Sequence, residues 1–161
     1  MVEIIVIVAV AKNNAIGKDG DITWDIPEDF QHFKDLTMGH PCIMGDITYE
    51  TLPEKARPLP GRENIVLTFD KKYNPEGTTI FHSWEEALEY VKDKEKVFIC
   101  GGATIYKLGL KVADTFELTR VHKEIVDADT FFPEVNCDEW ELKAEEKHEE
   151  YSFLTYKRKK K

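Results

Sequence analysis

Two junctions between a predicted strand and a predicted helix could bind phosphate. In Cys100-Gly101-Gly102-Ala103-Thr104 an apolar run meets a helix start, and the two glycines leave backbone N–H groups free of side chains that would block a ligand. Gly45-Asp46-Ile47-Thr48 is a second junction of this kind, in which Thr48 can donate a hydroxyl hydrogen bond. Either junction alone is more often an ordinary tight turn. Two of them in one small chain favour a dinucleotide ligand.

Asp29 is a carboxylate with aromatic neighbours. It lies beside Phe30 and one helical turn before Phe33, so it shares a helix face with aromatic rings. Two interpretations are open: a first-turn carboxylate that interacts favourably with the helix dipole, or a carboxylate in an apolar pocket that binds the N–H groups of a ligand. Burial would raise the pKa of this carboxyl, whereas the helix N-terminus would lower it.

Several common chemistries are excluded by the motifs. The sequence has no G-x-x-x-x-G-K-[ST], no G-x-G-x-x-G and no G-x-S-x-G pattern. Its five histidines show no metal-ligand spacing with each other or with cysteine, and it has only two serines, one of which, Ser83, is better explained as a helix cap. We therefore set aside kinase, serine hydrolase and zinc-enzyme functions, and we predict no metal site.

The hydrophobic pattern predicts the elements that position these residues. Residues 4–10 are apolar at every position, as in a central strand covered on both faces. A loop over residues 12–21 follows, and Pro27 begins a helix with acidic residues in its first turn. Further strands are predicted over residues 41–45, 64–69, 97–100, 115–121, 140–147 and 151–157. Further helices are predicted over residues 46–52, after the capping box that begins at Ser83, and from Gly102 to about Leu110. Residues 53–61 are predicted to form a loop. Such alternation indicates a largely parallel α/β sheet, with an antiparallel hairpin formed by the last two strands.

The composition limits the possible partners. The 161 residues suffice for one domain and include 22 basic and 31 acidic side chains, for a formal net charge of −9. This balance argues against nucleic acid and against an anionic membrane as partners. The last five residues, 157–161, are all basic and are expected to form a solvated tail. The three cysteines are far apart and odd in number, and the longest uncharged apolar run has eight residues, so we expect a cytoplasmic protein without disulfides or a membrane span.

A set of short segments follows one family's order and spacing over nearly all of residues 4–157. They are Ala15-Ile16-Gly17, Trp24-Asp25-Ile26-Pro27-Glu28-Asp29-Phe30 with Phe33-Lys34, Ile43-Met44-Gly45, Thr48-Tyr49-Glu50, Arg57-Pro58-Leu59-Pro60-Gly61-Arg62, Asn64-Ile65-Val66-Leu67, Gly101-Gly102 with Ile105-Tyr106, Leu118-Thr119, Asp129-Thr130 and Phe132-Pro133. No single segment is decisive, but the combination is highly specific. In this combination the chain resembles dihydrofolate reductase.

The resemblance implies both a fold and a reaction. The implied fold is a single α/β domain over residues 1–161, with an eight-stranded, mostly parallel sheet that has an antiparallel C-terminal hairpin at its edge and is flanked by four helices. The implied reaction is reduction of 7,8-dihydrofolate to tetrahydrofolate for one-carbon metabolism, by hydride transfer from NADPH to pterin C6 with protonation of N5. Dihydrofolate is then the substrate and antifolates are inhibitors. We expect a monomer, because no stretch of sequence indicates an additional interface.

The resemblance also implies roles for individual residues. Asp29 would hold the pterin's 2-amino group and N3 and assist protonation of N5 through water, and Thr119 would support Asp29. The residues grouped with Asp29 as catalytic are Ile22, Trp24 and Thr119. Backbone carbonyls of Ile7 and Cys100 would accept from the pterin's amine, and Arg62 would bind the α-carboxylate of the glutamate tail. The implied substrate contacts are Ile7, Val8, Ala9, Asp29, Phe30, Phe33, Leu52, Arg57, Leu59, Arg62, Cys100, Tyr106 and Thr119. The implied cofactor contacts are Ala9, Ile16, Gly17, Lys18, Asp21, Gly45, Asp46, Ile47, Thr48, Leu67, Thr68, Phe69, His82, Cys100, Gly101, Gly102, Ala103, Thr104, Ile105 and Tyr106.

A loop over residues 18–23 matches the family's mobile lid over the nicotinamide. Ile22 stands at the position of the lid's apolar residue, and Asp129 matches an acidic residue that latches the closed lid. Closing excludes water, so loop motion or product release would limit turnover. The connection over residues 144–150 is shorter than in many bacterial relatives, so a latch for the open lid would be missing.

The sequence departs from the family where relatives commonly bind the 2′-phosphate of NADPH. Asp46 follows Gly45 where relatives have Arg or Lys, Thr68-Phe69-Asp70 replaces a stretch with Ser or Arg, and Thr104 stands where some bacterial relatives have another arginine. A carboxylate repels phosphate but accepts hydrogen bonds from a free ribose diol. We therefore expect weak discrimination in favour of NADPH and use of NADH, unless Lys71, Lys72 or His82 compensates.

Two alternatives remain at this stage. One is a reductase of the same fold that acts on a pyrimidine in riboflavin synthesis. Arg62 argues against it, because a ribosyl pyrimidine has no glutamate tail. The other is a pteridine- or nucleotide-binding protein without turnover, against which the intact Asp29, Trp24 and lid loop count.

Overall fold

The computed structural model describes residues 2–17 and 26–159. Ten strands and four helices follow one another along them. The strands are β1 Glu3–Val10, β2 Ala15–Gly17, β3 Cys42–Gly45, β4 Asn64–Leu67, β5 Thr78–Phe81, β6 Lys96–Ile99, β7 Thr115–Val121, β8 Thr130–Phe131, β9 Trp140–Lys147 and β10 Tyr151–Arg158. The helices are α1 Pro27–Thr37, α2 Asp46–Thr51, α3 Trp84–Val91 and α4 Ala103–Leu110, and two short 3-10 turns span Glu54–Ala56 and Cys137–Glu139.

Eight of the strands form one sheet in the order β5-β4-β3-β6-β1-β7-β10-β9. All neighbours from β5 to β7 run parallel, whereas β10 pairs antiparallel with both β7 and β9. The mostly parallel sheet, its antiparallel C-terminal hairpin and the four helices confirm the predicted fold class. β2 and β8 form a separate two-stranded sheet.

Apolar clusters cover both faces of the sheet, which explains why β1 is apolar at successive positions. Val6, Val8 and Val10 belong to the larger cluster, which also contains residues of α3 and α4. Ile5 and Ile7 point to the opposite face and pack in a second cluster, against which Phe33 and Leu36 of α1 pack. The carboxyl ends of the parallel strands therefore meet the starts of helices that lie on both faces.

The predicted helix starts are confirmed. Pro27 is the first residue of α1, with Glu28 and Asp29 in its first turn. Ser83 caps α3, because its side-chain oxygen accepts from the backbone N–H of Glu86 at 3.2 Å. The Glu86 carboxylate in turn accepts from the Ser83 hydroxyl at 2.9 Å.

Three sequence predictions need correction. The loop predicted over residues 12–21 contains β2, and the loop over residues 53–61 contains a 3-10 turn. The predicted tail starts too early, because Lys157 and Arg158 belong to β10 and pair with Glu3 at 2.9 Å and Glu139 at 3.3 Å. β5 was not predicted at all.

In the described part of the chain, no helix has the length and apolar character needed to cross a membrane. Cys42, Cys100 and Cys137 are free thiols. Across residues 2–17 and 26–159 no group of three or more His, Cys, Asp or Glu side chains could hold a metal ion.

Candidate active site

Asp29 and Thr119 meet although 90 residues separate them in sequence. α1 carries Asp29 in its first turn, and the central strand β7 carries Thr119. The Thr119 hydroxyl donates to Oδ1 of Asp29 at 2.7 Å. Thr119 is buried and Asp29 is partly buried, so the carboxylate is held in place while part of it stays accessible to a ligand.

Burial decides the electrostatics of this carboxylate. Desolvation raises the pKa of Asp29 above its ordinary value, although the hydrogen bond from Thr119 and the nearby His32 act in the opposite direction. The same carboxylate, together with Glu146 and Asp35, acts to raise the pKa of His32, but burial of the ring outweighs these charges and lowers it. Asp29 is therefore a carboxylate in a poorly solvated site, which agrees with the burial that the second interpretation assumed.

Tyr106 bridges β1 and the residue that follows β6. Its hydroxyl lies 2.9 Å from the carbonyl oxygen of Ile7 in β1 and 3.0 Å from that of Cys100, directly after β6. A phenol has one proton, so it can donate fully to only one of the two carbonyls at a time. The other carbonyl keeps an unused acceptor for a ligand N–H group, and burial raises the pKa of Tyr106 well above its ordinary value, which keeps the hydroxyl protonated.

Apolar side chains line the α1 side of this region. Leu59 is buried, and Phe33 and Leu52 are partly buried in the same cluster as Ile7 and Cys100. The sequence grouped Phe30 with these residues, but its side chain is 52% exposed. Phe33, Leu52 and Leu59 thus form a preformed apolar wall, to whose cluster Phe30 does not belong.

Two arginines near this wall differ in their partners. Arg62 donates from Nε to the carbonyl of Pro60 at 2.9 Å and from a terminal nitrogen to the Thr37 hydroxyl at 3.1 Å, and its guanidinium lies 5.9 Å from the centre of the Phe33 ring. No carboxylate of the described residues forms a salt bridge with Arg62. Arg57, in contrast, pairs with Glu50 at 3.5 Å and Glu54 at 3.9 Å. Arg62 is therefore the better placed of the two to bind an incoming carboxylate.

A cavity of about 620 Å³ crosses the carboxyl ends of the parallel strands. Every predicted cofactor contact within the described residues lines it, apart from Gly17. These residues are Ala9, Ile16, Gly45, Asp46, Ile47, Thr48, Leu67, Thr68, Phe69, His82, Cys100, Gly101, Gly102, Ala103, Thr104, Ile105 and Tyr106. The predicted Lys18, Asp21, Ile22 and Trp24 lie outside the described residues.

The glycine junction after β6 leaves room for a ligand. Gly101 has φ +113°, and a Cβ there would lie 3.0 Å from the Tyr106 ring. A Cβ on Gly102 would lie 3.3 Å from the Thr48 hydroxyl of the neighbouring junction. Gly102 is the N-cap residue of α4 and supplies no side-chain cap, so the first backbone N–H groups of the helix are available to an anion. This open, uncapped cradle fits a pyrophosphate.

The far end of the cavity, near β4 and β5, is acidic and apolar. Oδ2 of Asp46 accepts from the Thr68 hydroxyl at 2.7 Å, and Oδ1 accepts from the backbone N–H of Ile47 at 2.7 Å. Phe69 is 97% exposed at the rim. Asp70 does not line the cavity: its N–H donates to Thr68 Oγ1 at 3.1 Å, and its Oδ1 accepts from the N–H of Lys72 at 2.9 Å.

Five residues that line the same cavity were not predicted from the sequence. They are Thr51, Ser83, Trp84, Leu108 and Thr130. Ser83 and Trp84 stand at the start of α3, directly after β5, and a correct prediction of β5 would have placed them at the carboxyl edge of the sheet. The other three follow from packing and carry no sequence signal that we can identify.

A second, larger groove of about 1240 Å³ lies between α4 and the segment before β9. Of the predicted site residues it contains only Ala103 and Thr104, and it is lined by charged surface side chains such as Lys107, Glu134 and Arg158. The glycine junctions and Tyr106 instead converge on the smaller cavity, which we take as the functional one.

Comparisons with known proteins agree with this geometry. A family model described as dihydrofolate reductase matches residues 3–158. Dihydrofolate reductase from Staphylococcus haemolyticus is 39% identical over 97% of this chain and 96% of its own length, and that from Haemophilus influenzae is 41% identical over 87% and 84%. Dihydrofolate reductase from Enterococcus faecalis, solved in complex with NADP(H) and RAB-propyl, superposes with a TM-score of 0.89 at 32% identity, covering 98% of this chain and 97% of its own. The chain belongs to the dihydrofolate reductase family.

Proposed function

We propose that this chain reduces 7,8-dihydrofolate to 5,6,7,8-tetrahydrofolate with NADPH, and that Asp29 is the carboxylate on which the reaction depends. The observation that carries the proposal is the partly buried Asp29, fixed by Thr119 and with a raised pKa, beside a cavity that contains an uncapped glycine cradle. Family membership and the NADP(H) complex of the Enterococcus faecalis relative support the same reaction.

The cavity would hold the reduced dinucleotide, which supplies the hydride when it is bound. Backbone N–H groups of Ala103 and Thr104 and the hydroxyl of Thr48 would bind its pyrophosphate. Ala9 and Ile16 line the part of the cavity nearest to β1 and would pack against the nicotinamide end. This arrangement orients the hydride donor at the carboxyl ends of β1 and β6.

The substrate would lie on the α1 side of the same edge. Asp29 would accept hydrogen bonds from the pterin's 2-amino group and N3, and whichever of the Ile7 and Cys100 carbonyls Tyr106 leaves free would accept from the amine. Phe33, Leu52 and Leu59 would pack against the pterin and aminobenzoyl rings, while the unused N–H groups of Arg62 would bind the α-carboxylate of the glutamate tail.

Asp29 has an electrostatic role in the proton step. The pterin must gain a proton at N5 as the hydride reaches C6, so positive charge develops on the ring. A carboxylate that is already in place in a poorly solvated site stabilises that charge, and no solvent has to reorganise during the step. Water would deliver the proton to N5.

The alternatives from the sequence are weaker on this geometry. A pyrimidine reductase of riboflavin synthesis would have no use for Arg62, whose guanidinium faces the apolar wall with N–H groups to spare. A non-catalytic binder is disfavoured by the similar proteins, which are dihydrofolate reductases. We further propose that the protein acts as a cytoplasmic monomer and that antifolates inhibit it at the Asp29 site.

Loss of reduced-nicotinamide absorbance on mixing protein, dihydrofolate and NADPH tests the proposal directly. We expect turnover, and we expect Asp29→Asn to lower kcat/KM by roughly 100-fold or more, the loss typical of one preorganised electrostatic contact. Glu28→Gln, in the same helical turn, is the matched control and should retain activity. Absence of turnover would favour a binder, and full activity of Asp29→Asn would overturn the assigned role.

A further inference from the structure

The cavity has a direction that follows from the sheet. Its lining begins at Val8 and Ala9 of β1, passes the two glycine junctions after β3 and β6, and ends at Thr68, Phe69 and His82 beyond β4 and β5. A dinucleotide with its reactive end near Asp29 and its pyrophosphate on the α4 cradle therefore extends its adenosine towards β4 and β5. The groups at that end contact the adenosine ribose, the part that differs between NADPH and NADH.

The charge at that end is negative. Asp46 is the only residue of the described lining with a full formal charge at neutral pH, and none of that lining is Lys or Arg. The Asp46 carboxylate is held by two hydrogen bonds, from Thr68 and from the backbone N–H of Ile47. A fixed carboxylate keeps lone pairs for a ribose hydroxyl, and it repels a phosphate on the same ribose carbon.

The neighbouring groups do not supply the missing cation. Nδ1 of His82 lies 2.9 Å from the carbonyl oxygen of Thr68, which can only accept, so Nδ1 carries the proton. This hydrogen bond leaves only Nε2 of His82 for a ligand, and His82 adds no formal positive charge to the net charge at pH 7. Lys71 and Lys72 are exposed and lie outside the lining.

We propose that Asp46, held by Thr68, determines which dinucleotide this enzyme accepts, and that it reduces the preference for NADPH so far that NADH also serves as hydride donor. The inference rests on the proposed function for the cavity's role in catalysis, but it makes a separate claim about binding. Because Asp46 contacts neither pterin nor nicotinamide in this arrangement, its effect falls on dinucleotide choice and not on the hydride step.

Direct binding tests the inference independently of turnover. Isothermal titration of the full chain with NADP+ and with NAD+ gives the ratio of the two dissociation constants, and the same titration with adenosine 2′,5′-bisphosphate and with AMP isolates the adenosine end. We expect the parent to prefer the phosphorylated ligand by less than about tenfold, because one like-charge contact offsets the added phosphate contacts. Steady-state kinetics with NADPH and NADH should give a similar ratio of kcat/KM.

Asp46→Asn removes the charge and keeps a side-chain oxygen for Thr68 or Ile47. It should raise the preference for the 2′-phosphate by roughly tenfold, and Asp46→Arg should raise it further. Asp70→Asn, which removes the same charge two residues from Thr68 but outside the cavity, is the matched control and should change the preference by less than about twofold. Circular dichroism spectra establish that each variant is folded.

Two results would overturn the inference: a parent that prefers NADP+ by several-hundred-fold, or a folded Asp46→Asn variant with an unchanged ratio. The first measurement needs no variant, so misfolding of Asp46→Asn would not prevent a decision. A chain that binds both dinucleotides with similar affinity and turns over neither with dihydrofolate would contradict the proposed function and the use of NADH as hydride donor, and it would support only the claim that Asp46 determines which dinucleotide binds.

Discussion

At the scale of single residues, the burial of Asp29 serves its proposed function and also lowers the stability of the folded protein. Its pKa is raised chiefly because burial removes water from the carboxylate. A group whose pKa is higher in the folded than in the unfolded state stabilises the fold fully at pH values below its pKa in the unfolded state, which is near 3.8 for Asp29. This stabilisation is lost as the pH rises through the pKa of the group in the folded state. At neutral pH the ionised Asp29 therefore lowers the free energy of unfolding.

Asp29→Asn should consequently be more stable than the parent at neutral pH although it is less active. The amide removes the charge and keeps an oxygen for the Thr119 hydroxyl. Urea denaturation at several pH values measures the effect: the gain in free energy of unfolding should be largest at neutral pH and should shrink as the pH falls towards 3.8. A variant that is less stable than the parent at neutral pH would show that the ionised carboxylate stabilises the fold.

Thr119 is a positioning residue, because it acts on the substrate through Asp29. Its hydrogen bond lowers the pKa of Asp29 against the effect of burial, so Thr119→Val should raise that pKa further, and Thr119→Ser should leave it near the parent value. Titration of the Asp29 carboxyl carbon by NMR measures this directly. We expect kcat/KM of Thr119→Val to fall by about tenfold, the equivalent of one hydrogen bond to a charged group. If Thr119→Val lowers activity and leaves the Asp29 titration unchanged, the role of Thr119 is structural only.

At the scale of elements, long apolar strands and capped helices were predictable from the sequence, and short edge elements were not. Residues 4–10 of β1 are a continuous apolar run of the kind that a buried parallel strand explains, and Ser83 marks the start of α3 by side-chain chemistry. β5 has four residues, all of them partly buried, at the edge of the sheet, and too few alternations to give a periodic signal. Its position depends on pairing with β4, which is a tertiary contact.

The residues of the candidate site also divide into those that the sequence predicted and those that it could not predict. Both glycine junctions were recognisable because strand, glycine and helix are contiguous in sequence. The contact between Asp29 and Thr119, and the position of Tyr106 between two strand ends, join residues that are 90 and 99 apart in sequence. Local patterns contain no information on such pairs. Only the family resemblance indicated the contact between Asp29 and Thr119, whereas the position of Tyr106 became known only from the structure.

The junction between β6 and α4 gives a prediction at this scale. Gly101→Ala places a side chain at φ +113° and 3.0 Å from the Tyr106 ring, so we expect the variant to lose more than about 1 kcal/mol of stability and to bind NADP+ more weakly. Gly39→Ala is the matched control, because Gly39 has φ +83° and a Cβ there would meet nothing within 4 Å. It should carry the backbone strain without the crowding and should bind NADP+ like the parent. Equal losses in the two variants, by urea denaturation and titration, would mean that the close approach of Tyr106 is irrelevant.

At the scale of the whole molecule, the net charge of −9 opposes the approach of an anionic dinucleotide. Most proteins that bind phosphates use cations and therefore bind more slowly when salt screens the attraction. Here the described lining of the cavity contains no Lys or Arg, and the pyrophosphate would bind to backbone N–H groups, whose attraction is short-ranged. Screening should therefore remove more repulsion than attraction.

We accordingly expect the association rate constant of NADPH to rise, by about twofold, when NaCl is increased from about 20 mM to about 200 mM, a range over which the Debye length falls from roughly 20 Å to 7 Å. Stopped-flow fluorescence of the bound nicotinamide measures it. The dependence of this rate constant on salt should be nearly the same in Asp46→Asn, because removing one charge changes the net charge only from −9 to −8. An association rate that falls with salt would show that cations steer the ligand, and they would then have to come from outside the described lining. Repulsion by the whole body and repulsion by Asp46 are thus separable: the first appears in the salt dependence of association, and the second in the ratio of the two dissociation constants.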